Sequence, residues 1–409
     1  MTNSVFTEFE FAPFDIIDGD RGKNYPKQNE FASEGYCLFL SATNVTKSGF
    51  NFSDCQFISE QKDAALRKGK LRRGDVVLTT RGTIGNSAYY SDVIQYDHMR
   101  INSGMVILRC DTKNILPVYL YHFLRSPSFF GQVNSLQSGV AQPQLPIRDM
   151  KKIKLPLPSV KVQSQISSVL SAYDDLIENN RRRIQLLEQA ARLLYKEWFV
   201  HLRFPGHEHT QIIDCVPEGW EKTTIGKSAS FISRGITPKY DDDAPGIVIN
   251  QKCIRNRMVN LDFARRQSKQ VPPGKIVQFG DVLINSTGAG TLGRVAQLLF
   301  EIDECTVDSH VTIVRPKEGV PVYYFGLHLT GLESYVATLG RGATNQTELS
   351  KDDIAALEIV LPSSSSAQIF ESIVAPSFSQ IRVLSEQIER LIKARDLLLP
   401  KLMNGEVAV

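Results

Sequence analysis

The chain has 409 residues, of which 42% are hydrophobic and 22% are charged, so it is long enough for two to four domains with substantial cores. Its net charge of +3 is too small to identify a nucleic-acid-binding protein. If DNA is the partner, the basic residues must be concentrated on particular faces.

The start of the sequence does not predict a signal peptide, and the sequence predicts no membrane span. The first 14 residues lack the basic start and apolar run of a signal peptide, and no apolar stretch approaches the ~18 residues of a membrane span. The six cysteines include no CxxC pair, which favours reduced thiols over zinc ligands or disulfides. We therefore expect a cytoplasmic protein.

The first part of the chain contains short β-branched or aromatic runs separated by Gly, Asn, Asp and Pro. Residues 76–80 and 105–108 are such runs, and residues 117–124 predict a short helix that begins with a proline. This pattern predicts a globular unit that is mostly β with a few helices.

A long helix is predicted at residues 159–204. Apolar side chains recur there at alternating steps of four and three, the heptad spacing of a helix that packs lengthwise on another helix. No Gly or Pro interrupts the pattern, and Ser159 is a candidate N-cap. At about 1.5 Å per residue, the seam from Ile166 to Trp198 is roughly 48 Å long, so its partner should be another long helix.

The second half of the chain repeats the plan of the first half. Residues 74–78 match residues 280–284 at an offset of 206, residues 40–45 match residues 249–254 at 209, and the helices match at 204. Loop insertions produce such small changes of offset, so we interpret the chain as a tandem duplication. The predicted boundaries are 1–156 and 205–360 for two globular units, and 157–204 and 361–409 for the long helix that follows each.

The second long helix has a less regular sequence than the first. Four serines at residues 363–366 supply candidate N-caps. Pro376 cannot donate a helical hydrogen bond, so we expect a kink or a restart there, and we expect Pro400 to end the regular part.

We predict that the two helices pack antiparallel, with paired residue numbers that sum to 568. Tyr173 then meets Arg395 in a cation–π contact, and Asn180 lies opposite Ile388 as a polar defect that helps to fix the register. The two copies would be related by a pseudo-twofold axis. Units roughly 48 Å apart would face DNA segments up to about 14 base pairs apart. The predicted seam residues are Ile166, Leu170, Tyr173, Ile177, Ile184, Leu187, Leu194 and Trp198 in the first helix, and Phe370, Val374, Ile381, Leu384, Ile388, Leu391, Leu398 and Leu402 in the second.

Two duplicated loops are candidate DNA-binding elements. Residues 80–85 and 288–293 are glycine-containing loops after predicted strands, and residues 138–144 and 341–347 are rich in amides and hydroxyls. Such groups can bind phosphates or base edges, although surface turns would explain the same residues. The candidate DNA-binding residues, including nearby basic side chains, are Lys47, Thr80, Arg81, Gly82, Thr83, Asn86, Arg100, Ser138, Gln142, Gln144, Lys252, Arg255, Arg257, Ser286, Thr287, Thr291, Arg294, Arg341, Asn345 and Gln346.

Other chemistry receives little support from the sequence. The GxGxxG pattern from Gly288 to Gly293 is typical of dinucleotide-binding proteins, but the first copy lacks it and has a strand-like run after the same loop. The sequence lacks the motifs of phosphate-binding loops, zinc proteases and serine hydrolases. We predict no catalytic residue and no metal site.

The sequence resembles a known family, the specificity subunits of type I restriction-modification systems. The resemblance covers the whole chain, and the final motif at residues 395–406 is its most specific part. The motifs that carry it are Leu157-Pro158, residues 193–195 with Trp198-Phe199, residues 217–220, the Gly-Asp-Val strand starts, and residues 395–406.

This resemblance implies an α+β fold with two tandem, mostly-β target recognition domains, each followed by a long helix, and the helices paired as an antiparallel coiled coil. It implies a non-catalytic subunit in which each recognition domain reads half of a split DNA site and the helices set the spacer. The implied partners are double-stranded DNA, two methyltransferase subunits with S-adenosylmethionine, and restriction subunits with ATP and Mg²⁺. A dinucleotide-dependent enzyme and a scaffold without a DNA role stay open as alternatives.

Overall fold

The computed structural model describes residues 6–136, 143–342 and 347–407. The chain divides into two compact units, of which unit 1 is Met1–Asn179 with Ile388–Val409 and unit 2 is Asn180–Gln387. Each long helix contributes one segment to each unit. The predicted boundaries between globular units and helices stay a prediction, because the compact units divide the chain within the helices.

The strands of the first copy are short. They are β1 (Phe6–Glu8), β2 (Phe14–Asp18), β3 (Cys37–Leu40), β4 (Val45–Thr46), β5 (Gly49–Phe50), β6 (Phe57–Ile58), β7 (Val76–Thr79), β8 (Ser87–Tyr89), β9 (Met99–Ile101), β10 (Met105–Cys110) and β11 (Lys154–Pro156). The helices are α1 (Glu60–Ala65), α2 (Pro117–Phe123), α3 (Pro127–Leu136), α4 (Ile147–Met150) and the long α5 (Val160–Tyr195).

The second copy has a corresponding series of elements. Its strands are β12 (Ile212–Ile213), β13 (Val216–Pro217), β14 (Glu221–Thr224), β15 (Ala229–Arg234), β16 (Gly246–Ile249), β17 (Ile254–Arg255), β18 (Met258–Val259), β19 (Arg265–Gln267), β20 (Val282–Asn285), β21 (Val295–Gln297), β22 (Cys305–Val307), β23 (Val311–Pro316) and β24 (Glu358–Leu361). Its helices are α6 (Ile225–Ser228), α7 (Val322–Gly331), α8 (Glu333–Thr338), α9 (Lys351–Ala355) and the long α10 (Ser364–Met403).

A four-stranded antiparallel sheet in the order β2-β10-β7-β8 forms the centre of unit 1. Successive strand residues point to opposite faces, so Val76 and Leu78 pack with α2 and α3, whereas Val77 packs with β3 and β9. The sheet is therefore buried on both faces, which explains why β7 is a continuous apolar run.

Unit 2 repeats this topology. The central sheet has the order β15-β23-β20-β21, and a three-stranded sheet β19-β16-β22 corresponds to β6-β3-β9. The parallel pairs correspond as well, because β3 runs parallel to β9 and β16 runs parallel to β22. The α+β fold of two mostly-β copies, each followed by a long helix, is confirmed.

One buried ion pair also recurs in both units. Arg109 Nε and Nη2 donate to the Asp75 carboxylate at 2.9 and 2.7 Å, and Arg315 donates to Asp281 at 2.8 Å through the same two atoms. The residue numbers differ by 206 in both cases. In each unit this pair fastens the start of a central strand to its neighbour, as a forked guanidinium–carboxylate contact can.

The two long helices begin close to their predicted starts. A π-helical turn, Lys196–Val200, follows α5. Before α10, the Ser363 hydroxyl accepts from the Ser366 N–H at 3.3 Å, which is an N-cap contact.

The proline expectations for α10 were wrong in part. The helix continues through Pro376 without a restart and extends past Pro400 to Met403. The carbonyls that lose a helical partner belong to Ser372 and Asp396, which are exposed residues, so water can replace the missing N–H donor.

The helices pack antiparallel in each unit. In unit 1, Ile166 and Leu170 share a core with Leu399 and Leu402. In unit 2, the Trp198 and Phe370 rings, whose numbers sum to 568, are 5.7 Å apart. The antiparallel pairing is therefore confirmed within each unit.

Two predicted cross-helix contacts differ in detail. Arg395 donates to Asp174 at 2.6 Å, instead of lying over Tyr173. The amide of Asn180 donates to Gln387 at 3.3 Å, next to the predicted position of Ile388. In both cases the polar group pairs with a polar residue directly next to the predicted position, because a buried polar group needs a hydrogen-bond partner.

No helix in the described ranges combines the length and apolar character that crossing a bilayer requires. In the same ranges, His, Cys, Asp and Glu side chains form no group of three that could hold a metal ion. All six cysteines are free thiols.

Candidate nucleic-acid interface

Several loops of unit 1 meet at one end of its central sheet. The Thr80 N–H donates to the Gly104 carbonyl at 2.8 Å, and the Leu145 N–H donates to the Thr80 carbonyl at 2.9 Å. Arg81 and Gln144 form an antiparallel bridge. The structure therefore brings the glycine-containing loop and the end of the amide-rich loop together. We call this region loop cluster 1, and it comprises Ala42, residues 80–86, residues 102–104 and Gln144.

Unit 2 builds the corresponding region with the same backbone contacts. The Ser286 N–H donates to the His310 carbonyl at 2.8 Å, and the Leu349 N–H donates to the Ser286 carbonyl at 2.8 Å. Thr287 and Glu348 form the bridge that corresponds to Arg81 and Gln144. Loop cluster 2 comprises Gln251, residues 286–294, residues 308–310, Arg341 and Glu348.

The dinucleotide-binding interpretation of loop cluster 2 was wrong. Such a site needs a helix directly after the glycine-rich loop, so that the helix N-terminus faces the pyrophosphate. Here the loop leads into strand β21, which pairs antiparallel with β20. The glycines therefore belong to a hairpin connection.

The glycines of the two loops have two different roles. A Cβ atom on Gly293 would lie 2.4 Å from Ala337 Cα in α8, and one on Gly85 would lie 2.9 Å from the Phe130 ring, so both positions are closed by packing. Gly82 and Gly290 each have a φ of 73°, a left-handed conformation that favours glycine. At Gly290, no atom lies within 4 Å of the position that a Cβ would occupy. These two glycines leave the loop surface open to an approaching ligand.

Many of the candidate DNA-binding residues have accessible side chains. The exposed ones are Lys47, Arg81, Gly82, Thr83, Gln144, Lys252, Arg255 and Arg341. The partly exposed ones are Asn86, Arg257, Thr287, Thr291 and Arg294. Cationic and amide groups of this kind can contact phosphates or base edges.

Arg100 is a core residue, which removes it from the candidate interface. It is 4% exposed and forms an ion pair with Asp63, and its Nη1 donates to the Lys68 carbonyl at 2.7 Å. Burial alone would raise the pKa of Asp63, but hydrogen bonds from Lys70 and Arg100 outweigh it and lower that pKa. Arg100 therefore stabilises strand β9.

Two further candidates support the loop frame from inside. Thr80 is buried and its hydroxyl donates to the Gly104 carbonyl at 3.0 Å. Ser286 is fully buried, with its hydroxyl 2.6 Å from the Thr312 hydroxyl. Both side chains position the loops and are not accessible to DNA in this conformation.

Other candidates make contacts within their own unit. Asn86 donates to the Val45 carbonyl at 3.0 Å, and Arg294 donates to the Gly290 carbonyl at 2.9 Å. Arg341 pairs with Asp353 at 2.7 Å while 81% of its side chain stays exposed. These contacts restrict the loops, which lowers the entropy lost when a ligand binds.

Arg257 lies in a different environment from the loop clusters. It occupies the turn between β17 and β18 with a φ of 63°, and it lines a groove of about 970 Å³ together with Glu188 of α5. Burial raises the pKa of Glu188, and the charges of Arg192 and Arg257 oppose that rise. The structure thus places Arg257 beside α5, where its positive charge acts on the Glu188 carboxylate.

Four candidates lie outside the described residues, namely Ser138, Gln142, Asn345 and Gln346. Conversely, the sequence did not single out Gln251 and His310, which belong to loop cluster 2 through contacts with Thr287. A comparison of the aligned residues in the two copies could have identified them, because polar side chains stand in the second copy where the first copy has none. The duplication aligns them with Ala42 and Gly104, which lack polar side chains.

All predicted seam residues are buried or partly buried in the structure. Other apolar side chains on α5 and on the π-helical turn that follows it are exposed. Leu186, Leu193 and Val200 recur at intervals of seven residues with 56, 58 and 59% exposure. These side chains form a second stripe on the helix, separate from the seam.

Residues 13–189 match the family model of the type I restriction modification DNA specificity domain. This segment is therefore similar to a type I DNA specificity domain. The matched segment covers the first copy from β2 onward together with most of α5, and it includes the whole of loop cluster 1. The family resemblance seen in the sequence motifs is confirmed.

Curated relatives and a solved structure extend the similarity over the second copy. The chain is 26% identical to the type I restriction enzyme MjaIX specificity subunit of Methanocaldococcus jannaschii, over 85% of this chain and 81% of that protein. It is 24% identical to the HindI specificity subunit of Haemophilus influenzae, over 95% of this chain and 98% of that protein. The crystal structure of the type I S subunit from M. genitalium has the same fold, with a TM-score of 0.58, 15% identity and 98% of this chain covered.

Proposed function

We propose that the chain is the DNA-recognition and scaffold subunit of a type I restriction-modification complex. One observation carries this proposal. Two loop clusters with the same backbone frame present accessible cationic, amide and hydroxyl groups, in a chain whose first cluster lies within a DNA specificity domain. Such groups position DNA through phosphates and read sequence at base edges.

The duplication supports a split recognition site. Each loop cluster has its own set of accessible donors, so each would read one half-site, and the long helices would set the length of the spacer between the halves. The subunit itself would be non-catalytic. Its partners would be double-stranded DNA, two methyltransferase subunits that bind S-adenosylmethionine, and restriction subunits that use ATP and Mg²⁺, all in the cytoplasm.

The exposed stripe on α5 supports a role for the helices in assembly. Leu186, Leu193 and Val200 are each more than half exposed. These side chains repeat along one face of the helix, and burying them against a partner would be favourable. We propose that a methyltransferase subunit docks along these helices.

The first prediction tests DNA recognition by loop cluster 1. Arg81→Ala, assembled with the methyltransferase subunits, should weaken DNA binding by about 1–3 kcal/mol, roughly five- to 150-fold in Kd. Lys113→Ala is the matched control. Lys113 is an exposed cation that follows the C-terminal end of β10, whereas Gly104 of loop cluster 1 precedes the N-terminal end of that strand. Kd is measured with DNA that carries the wild-type methylated motif.

Mapping of methylated adenines with the wild-type complex defines that motif. A motif of two parts separated by unspecified base pairs is expected, and one continuous short motif would contradict the split-site proposal. Absence of DNA binding at every salt concentration, even with methyltransferase present, would favour a scaffold without a DNA role.

A further inference from the structure

The two loop clusters share a backbone frame but differ in the side chains it carries. Both frames are closed by the paired hydrogen bonds that join Thr80 to Gly104 and Leu145, and Ser286 to His310 and Leu349. Three aligned positions on this frame change chemistry. They are Ala42 and Gln251 at an offset of 209, Arg81 and Thr287 at 206, and Gly104 and His310 at 206.

In loop cluster 2 these positions form a directed chain of hydrogen bonds. Gln251 Nε2 lies 2.6 Å from the Thr287 carbonyl and 2.7 Å from its hydroxyl. The carbonyl can only accept, so the amide nitrogen is the donor to both atoms. The Thr287 hydroxyl therefore accepts from Gln251 and has its own proton for His310 Nδ1, 2.7 Å away.

When the Thr287 hydroxyl donates to Nδ1, this chain favours one tautomer of the neutral imidazole. With Nδ1 accepting from Thr287, the ring proton of His310 is on Nε2. His310 is an exposed residue, and in the described part of the chain Nε2 has no hydrogen-bond partner. Loop cluster 2 thus presents one N–H donor whose direction is fixed by Gln251 and Thr287.

Loop cluster 1 presents a different donor at the same place. Ala42 and Gly104 supply no polar side-chain atom there, so nothing corresponds to the Gln251–Thr287–His310 chain. Arg81 is exposed, and within the described residues its guanidinium makes no hydrogen bond or ion pair. A guanidinium can fork onto the O6 and N7 atoms of guanine, which a single imidazole N–H cannot do.

We propose that these three aligned positions determine which bases the two clusters select, with Arg81 reading a guanine edge and His310 donating to a single acceptor on a purine edge. Gln251 and Thr287 are positioning residues for His310. The inference rests on the proposed function. A shared frame gives both clusters the same approach to DNA, so the difference in half-site must come from the side chains on it.

A purely structural role for the polar chain would give a different result. Because Gln251, Thr287 and His310 join three separate loops, their hydrogen bonds could serve only to hold the frame. In that case their removal would lower stability and reduce binding to every sequence equally. A change in base preference at one position of one half-site is specific to the reading role.

The test transplants the chemistry of cluster 1 onto cluster 2. The full-length variant Gln251→Ala, Thr287→Arg, His310→Gly is assembled with the methyltransferase subunits, and methylated adenines are mapped genome-wide. We expect the first half-site to stay unchanged and one position of the second half-site to shift to guanine, with methylation of the original motif reduced at least about tenfold.

An unchanged motif, or a uniform loss of methylation with the motif preserved, would overturn the inference. Wild-type mapping separates this result from failure of the proposed function, because that function fails if the wild type yields no two-part motif. His209→Gly, which changes an exposed histidine outside the cluster, is the matched control.

A milder variant keeps the test decisive if the triple variant does not fold. His310→Gln retains a side-chain donor and the backbone frame, and its folding is checked by thermal unfolding. Because it lacks the imidazole N–H that the Thr287 contact orients, it should broaden base tolerance at the same single position by about fivefold or more. Undiminished discrimination at that position in folded protein would reject the reading role of His310.

Discussion

Beside its apolar seam, the helix pair has a charged contact in unit 1 and contacts between aromatic rings in unit 2. In unit 1, Asp174 of α5 accepts from Arg125 and from Arg395, each at 2.6 Å. The duplication aligns Asp174 with Phe378, since 378 − 174 = 204, and Phe378 stacks on Tyr323 with ring centroids 4.9 Å apart and planes within 5° of parallel. Two aligned positions of the long helices therefore differ in chemistry, with an ionic contact at Asp174 and an aromatic stack at Phe378.

The partner positions change in a correlated way. Arg395 aligns with Ala191 at the same offset of 204, and Ala191 is 4% exposed. Around it, Phe199 contacts the rings of Phe370 and Tyr324 at 4.8 and 4.6 Å. Each site is internally consistent, because a lone carboxylate among aromatic rings would be buried without a charged or hydrogen-bonding partner.

This comparison shows which parts of the duplicated plan are interchangeable. The frame of each unit, including the forked Arg–Asp pair, is the same in both copies. The cross-helix contacts and the loop side chains differ. Groups that fasten one strand to the next are constrained by geometry, whereas contacts between whole elements can be replaced by any pair that fills the space and satisfies its polar atoms.

The largest effect is expected where the copies agree. Arg109→Ala and Arg315→Ala leave Asp75 and Asp281, which are 1% and 0% exposed, without their partners. Each change should cost about 3–5 kcal/mol in the unfolding free energy of its own unit. Hydrogen exchange of the central strands measures this separately for each unit, and Arg255→Ala is the exposed control. If the two variants lost very different amounts of unfolding free energy, the forked Arg–Asp pair would not have the same role in both units.

The next effect concerns the charged contact of unit 1. Asp174→Asn should cost on the order of 3 kcal/mol, because Arg125 and Arg395 are only 15% and 14% exposed and lose an anionic partner. Burial alone would raise the pKa of Asp174, but Arg125 and Arg395 outweigh it and hold the pKa below its usual 3.8.

The sign of the pH dependence follows from that direction. With a lowered pKa in the folded state, the stabilisation is present above about pH 3.8 and is lost as pH falls through the folded-state pKa. The difference in unfolding free energy between wild type and Asp174→Asn should therefore shrink in acid. A constant difference from pH 7 to pH 3 would contradict the ionic account.

The smallest effect is expected at the aromatic contact of unit 2. Phe378→Ala removes a partly buried ring and its stack on Tyr323, which should cost about 1–2 kcal/mol. Because no ionised group takes part in the stack, the cost should not change with salt. Hydrogen-exchange protection of the α7 amides at low and high salt measures this cost. A cost that depends strongly on salt would contradict the distinction between the aromatic contact of Phe378 and the ionic contact of Asp174.

The sequence predicted the family, the duplication and the long helices because these depend on periodic or repeated signals. Val76 and Val282 begin buried strands at aligned positions, and the heptad spacing from Ile166 to Trp198 requires a lengthwise partner. Antiparallel pairing was assumed, and it agrees with the family resemblance. A single sequence is enough to detect these features, because many residues contribute to each of them.

The candidate site was predictable only at the level of loops. Arg81 and Arg100 are equally basic in the sequence, yet one is exposed on a loop and the other is buried against Asp63. Likewise, Gln251 and His310 are 59 positions apart in the sequence and come within reach of Thr287 only after three loops meet.

By itself, then, the sequence determined the repeated architecture, since local propensity and periodic burial act on neighbouring residues. Only the tertiary structure decided which basic side chains are free, which polar atoms form the chain to His310, and whether Asp174 or Tyr173 meets Arg395. Those outcomes depend on distances between segments far apart along the chain, where a shift of one residue exchanges a buried partner for an exposed one.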